Sequence, residues 1–463
     1  MPITQQIKTN HSQKIQSRKK LSGDGLFSVA KDFFTTKLIE HRNGIPTYSL
    51  PDVAMSGLAV FSLKQPSLLQ FDDKRKNDEV FVQNIKNVFK VKQVPADSTI
   101  STILDEVQPV QISGSFRRIF FELQRGKILE QFLWKVNNSY LLSLDGTNYF
   151  SSEEIHCDNC QEKKHSSGKV TYSHSMLSGV ILHPDKKEVI PLCPEAIIKQ
   201  DGETKNDCEI NAGKRFIDNL RREHFKLKVT VLGDDLFSRG PFIKKLQEKE
   251  MSFILGAKKT SHESLFSEVA ELDTKGNVIH YTVKEGEKEH IFNFVNGVSL
   301  NNEHLDLKVN FLEYWEKGNK GNKGNKGKEQ EKHFSWVTDI EITKENVYEI
   351  TRAGRSRWKI ENETFNTLKN QGYNFEHNYG HGYKNLSVNM AYLMMLAFLI
   401  DQVQQACCKL FQAALQKMER KKYLWEKIRG IFHFVLIESW KMLLECIVYG
   451  FKYTGLEITY NTT

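Results

Sequence analysis

The chain has 463 residues, 39% of them hydrophobic, with 29 Phe, seven Cys and a formal net charge of +8. That length exceeds one ordinary core, so two or three domains are expected, and the apolar content is ample for globular interiors. An odd cysteine count without a secretory signal argues against a disulfide framework, and the surplus of cations hints at a polyanionic partner without establishing one.

Residues 1–45 carry little pattern and are expected to form a partly disordered N-terminus, with a basic cluster from Lys14 to Lys20. Residues 46–135 read as a helical module. Its expected helices are Ala54 to Leu63, Glu79 to Phe89, Ser98 to Val107 and Ser115 to Phe132, with Pro66 and Pro95 as breaks. Ser98 is a candidate cap for a helix whose inner face is Ile100, Ile103, Leu104 and Val107. An ordinary helical subdomain and a DNA reader fit this stretch equally.

A mixed α/β core is expected over 136–258 and 338–405. The apolar run from Tyr140 to Leu144 should end at Asp145, and Val170 to Leu182 should pair with Glu188 to Leu192. A helix over Asp207 to Phe225 leads to the β-branched strand Leu227 to Gly233, which ends at Asp234. Helix Gly240 to Met251 and strand Ser252 to Gly256 continue the alternation that marks α/β folds. Residues 259–337 read as a β-rich insertion: Val278 to Val283, Ile291 to Val295, Val309 to Tyr314 and Phe334 to Val337. Within it, Gly318 to Lys328 repeats Gly-Asn-Lys without one apolar residue and is expected to be a loop.

Helix resumes near Lys344 and runs past Lys369. The region 406–463 is expected to be helical, Leu386 to Met418 and Tyr423 to Tyr449 forming an antiparallel pair or a dimer surface. The longest apolar run, Met390 to Ile400, counts 11 residues and reads as a buried helix, not a bilayer span. A cytoplasmic protein without membrane contact is expected.

Two clusters could carry chemistry. Cys157 and Cys160, followed by His165 and His174, offer four soft or borderline ligands for a structural Zn²⁺; free thiols and surface imidazoles are the other reading. Asp145 and Asp234 each follow an apolar strand, at the sheet rim where loops build active sites. Glu361 shares a helix face with Arg357 four residues earlier, which by itself predicts an i,i+4 ion pair. Three carboxylates meeting at one point would suit Mg²⁺. Asp235 competes with Asp234, and Trp358 is expected to be a packing anchor.

Asp145, Asp234 and Glu361 resemble the DDE triad of bacterial insertion-sequence transposases, and Arg357-Trp358-Lys359-Ile360-Glu361 is similar to their Tyr-x2-Arg-x3-Glu-x6-Lys signature. The resemblance extends over Met55 to Phe61, Thr102 to Val107, Cys208 to Ala212 and Asn374 to Gly382. Gly354 stands where the signature has Tyr, and the Lys spacing lands on Leu368, one step before Lys369. The family pattern of Asp, two residues, then an aromatic selects Asp234, because Phe237 lies three residues on.

The resemblance implies an RNase-H-like catalytic core interrupted by the β-rich insertion, and two Mg²⁺ (or Mn²⁺) ions held by the triad. It further implies double-stranded DNA as element end and target, Arg357 and Lys369 as DNA-contacting cations, and a homodimer on DNA. An RNase-H-like nuclease that cuts without joining, and a catalytically inactive DNA-binding relic, are the rival readings.

Overall fold

The computed structural model describes residues 12–199, 208–319 and 329–451. The chain divides into two compact units, Leu129–Thr367 and a discontinuous unit of Met1–Ile128 with Leu368–Thr463. The expectations for residues 1–11, for Lys320 to Lys328 of the repeat, for a helix start at Asp207 and for 452–463 lie outside the described residues.

The unit Leu129–Thr367 is built on one mixed sheet. β1 (Leu133–Trp134) pairs with β2 (Ser139–Ser152); β3 (Gln161–Lys164), β5 (Ile190–Pro191) and β6 (Glu195–Ile197) all pair with β4 (Val170–Leu182). β4 lies antiparallel to β2, whereas β7 (Val229–Gly233) and β8 (Ser252–Gly256) run parallel to β2 and to each other. All five residues of β7 are buried, as a central strand covered on both faces requires. Helices Glu209–Glu223 and Gly240–Glu248 make the crossovers, giving the helix-flanked mixed sheet expected of an RNase-H-like core.

The insertion does not form a separate β layer. β9 (Ile279–Glu285), β10 (Lys288–Ser299), β11 (Lys308–Asn319) and β12 (Glu329–Thr338) form an antiparallel meander, and β12 pairs back onto β8 through Trp336↔Gly256 and Thr338↔Ile254. The sheet order is β3-β4-β2-β7-β8-β12-β11-β10-β9. The strand from Tyr140 also does not end at Asp145, as expected, but runs on to Ser152, because β4 supplies a hydrogen-bonding partner well beyond that residue. Helix Glu263–Thr274 was not expected.

The discontinuous unit is helical among its described residues. Part of the stretch expected to be disordered is helix Gly23–Lys37, with Leu26, Phe27, Ala30 and Phe34 buried. Helices Leu50–Ser62, Leu68–Asn77, Glu79–Phe89, Asp97–Glu106 and Pro109–Arg125 follow. Ser98 is not the cap: that helix starts at Asp97, and Ala96 at the N-cap makes no side-chain bond. Cys408 and the segment 435–439 break the two long C-terminal helices into Leu386–Cys407, Lys409–Met418, Lys421–Phe434 and Trp440–Tyr449.

Helix Leu386–Cys407 is long and apolar enough to cross a membrane, longer than the Met390 to Ile400 run suggested, yet its most apolar window is wholly buried. Its start is tied to Asp105, whose carboxylate accepts the backbone N–H groups of Tyr383, Lys384, Asn385 and Leu386 at 2.9 to 3.0 Å. Burial pushes that carboxyl up, but these four donors outweigh it and hold it below the usual carboxylate range. Deeper in the same unit, Lys64 Nζ meets Asp401 Oδ2 at 2.6 Å with both side chains buried, while the Tyr373 hydroxyl donates to the same oxygen.

Candidate active site

Asp145 sits within β2, opposite Ser178 of β4. The parallel register of β2 with β7 ends at Ser143↔Leu232, and two further residues on each chain are Asp145 and Asp234. β7 stops there because Asp234 turns the chain, its carboxylate accepting Leu236 N–H at 2.9 Å. The neighbouring Asp235 is used differently. Its two oxygens take the Lys258 N–H at 2.7 Å and the Ser261 hydroxyl at 2.5 Å, tying the end of β7 to the segment after β8.

Glu361 arrives on an irregular helix. Val347–Arg355 is α-helical, Ser356–Trp358 is a 3₁₀ turn and Ile360–Phe365 is a π-helix, a form frequent at functional sites. The Ser143 hydroxyl bonds to the Arg357 carbonyl and fastens this helix to β2. Arg357 then bridges two carboxylates, with Nη2 2.9 Å from Glu361 Oε1 and Nη1 3.4 Å from Asp145 Oδ2. The i,i+4 ion pair is therefore present, and it has a third member from a distant strand.

A fourth carboxylate joins this group. A Cβ on Gly146 would fall 2.3 Å from Glu209 Cδ, so the Glu209 carboxylate, from the first turn of helix Glu209–Glu223, lies against β2 beside Asp145. Burial pushes the Asp145 carboxyl up to about 6; Arg357 opposes the rise, while Glu361, Asp234 and Glu209 add to it. Burial, then Asp234, raises Glu209 as well. In the sequence, Glu209 stands out only as part of the stretch Cys208 to Ala212.

Beside these groups opens a cavity of about 1060 Å³, lined by Asp234, Arg357, Trp358, Lys258 and Lys259 among others. Trp358 is not the packing anchor expected: it is 45% exposed, on the helix that carries Glu361. The anchor at this point is Trp336, whose indole would lie 2.7 Å from a Cβ at position 354. A tyrosine at the Gly354 position, as the signature has it, would collide with that ring. Lys359 is buried, and its ammonium donates to the carbonyls of His183, Pro184 and Lys186, holding the turn after β4.

Lys369 belongs to the other unit, where it pairs with Glu376 at 2.7 Å. Of the four expected zinc ligands, Cys157, Cys160 and His174 converge. His165 does not: it is exposed and bonded to Thr171 Oγ1 at 2.8 Å, because the β3–β4 hairpin turns it away from the thiols.

The profile of the family described as "Transposase DDE domain" matches residues 156–399, just over half of the chain. The matched span includes Asp234 and Glu361 and begins after Asp145. A search of curated proteins finds no match. With that span of agreement, laid over the fold and the carboxylate group described, the chain belongs to the DDE transposase family.

Proposed function

We propose that this chain cuts phosphodiester bonds at the ends of a DNA element and joins the freed 3′-OH to target DNA, with Asp145, Asp234 and Glu361 as the acidic triad. The observation that supports this reading is that one guanidinium, Arg357, bridges Asp145 and Glu361, with Asp234 near enough to add to the rise that burial and like charge impose on Asp145, up to about 6. Such an excess of carboxylate oxygen over cation is a donor set suited to Mg²⁺ or Mn²⁺. Two ions bound there would supply a polarised water and neutralise charge on the phosphodiester.

The protein's own residues do the positioning. Arg357 holds Glu361 and Asp145 in one place and is the cation available to a phosphate oxygen as DNA enters. Glu209 tunes the charge on Asp145 and is not needed as a ligand. Lys258 and Lys259 on the cavity wall take phosphates, and the exposed Trp358 face offers a stacking surface for an unpaired base. Lys369 is assigned a grip on the strand, exchanging Glu376 for phosphate. The DNA partner is double-stranded, bound by a homodimer in the cytoplasm.

Strand-transfer assays with pre-cut element ends test the reading. Joined product should form with Mg²⁺ and vanish in Asp145→Ala, Asp234→Ala and Glu361→Ala, with DNA binding retained. Cleavage without joining would reduce the protein to a nuclease. Activity that survives Asp145→Ala would overturn the triad.

A further inference from the structure

We propose that Cys157, Cys160 and His174 form a structural zinc site that clamps the outer end of the paired strands β2 and β4, beyond the strand position of Asp145. The two sulfurs are 3.9 Å apart, and each lies 3.4 Å from His174 Nε2. A tetrahedral ion with Zn–S of about 2.3 Å and Zn–N of about 2.0 Å sets ligand separations of roughly 3.8 Å for S to S and 3.5 Å for S to N. The three distances match that triangle. A disulfide would need the sulfurs at about 2.05 Å, so the cysteines are not poised as a bond.

The backbone explains why these three meet. Cys160 N–H donates to Cys157 O at 3.1 Å, a tight turn that sets both sulfurs on one side. Cys160 leads directly into β3, whose Gln161 pairs with Ser173, so the thiol arrives beside His174. His174 is in register with Phe150 of β2, and its ring packs near those of Tyr149 and Phe150, with centroids 6.0 and 5.9 Å away. Cys160 and His174 are buried and Cys157 half-buried, so the donors are shielded from bulk water. Thiolate and imidazole select zinc over the hard ions suited to the carboxylates. Two histidines close by in sequence are engaged elsewhere: His165 with Thr171, and His156 stacked on Tyr172 at 4.4 Å.

The experiment is metal analysis of the full-length protein, without DNA and so independent of the transposition reading. One zinc per chain is expected from zinc-replete expression. Cobalt added to chelator-stripped protein should give the intense d–d absorption of a tetrahedral site with a thiolate-to-cobalt charge-transfer band. Cys160→Ser and His174→Ala should each lose the zinc, and His165→Ala should keep it. If a variant fails to fold, the cobalt spectrum of the unaltered protein decides. Wild type purified without zinc and giving only an octahedral cobalt spectrum would overturn the site, as would full zinc occupancy in a folded Cys160→Ser protein.

Discussion

Because burial and like charge raise Asp145 to about 6, divalent-metal binding at the proposed triad should be coupled to loss of one proton near that pH. The Asp145 side chain is only 19% exposed, so solvent screens the effect little. Raising a carboxyl from its ordinary value to about 6 corresponds to roughly 3 kcal/mol against ionisation in the folded protein. The sign follows directly. The folded state holds the proton more tightly than the unfolded chain, so metal-free stability is greatest below pH 4 from this group and declines as pH rises to 6. Metal binding requires the carboxylate, so affinity moves the opposite way. A group titrating at about 6 is about nine-tenths ionised at pH 7 and one-tenth at pH 5, so affinity should weaken about tenfold over that interval. Calorimetric titration with Mn²⁺ in two buffers of different ionisation enthalpy measures both the affinity and the proton released. Glu209→Gln should move the midpoint down and Arg357→Gln should move it up, since one adds to the rise and the other opposes it. Affinity that stays level from pH 5 to 7, or a downward shift in Arg357→Gln, would refute the reasoning.

Three further outcomes are expected. Asp234→Ala should abolish cleavage with little change in melting temperature, whereas Asp235→Ala should lower the melting temperature because it releases Lys258 N–H and Ser261; equal effects in the paired assays would contradict the assignment. Lys64→Met strands the buried Asp401 and should cost about 3–5 kcal/mol in chemical denaturation, while Lys64→Met with Asp401→Leu should recover most of it. Asp105→Ala removes the acceptor for four backbone N–H groups and should cost about 2 kcal/mol or more in urea, with hydrogen exchange speeding up first at Tyr383 to Leu386.

Where a segment's own pattern determined its structure, it could be read directly. β4 at Val170–Leu182, β8 at Ser252–Gly256 and helix Glu79–Phe89 have the bounds their apolar runs imply. Helix Leu68–Asn77 was missed because it buries only Leu68, Phe71 and Asp72; its signal was the cap, Ser67 accepting from Gln70 N–H in a Ser-x-x-Gln pattern. Helix Pro109–Arg125 begins with a proline at its first turn, a start signal that was passed over. Asp234 was legible from the end of its strand and Glu361 from the signature spacing, whereas Asp145 lies inside β2, which runs on to Ser152, so the strand end that pointed to it is not there. Glu209 was not legible, since its place depends on how closely its helix approaches Gly146. His174 and His165 looked alike along the chain, and only the β3–β4 pairing separates them.

The π-helical stretch from Ile360 to Phe365 also bears on how relatives of this chain are found. A π turn closes its bond one residue later than an α turn, so residue counts made across it run one ahead of those made along a regular helix. The basic position of the signature, counted at fixed spacing from Glu361, falls on Leu368; allowing one residue for the π turn brings the count to Lys369. Fixed-gap patterns calibrated on regular helices will therefore pass over sequences like this one, and searches that permit a single-residue insertion just after the glutamate should recover them.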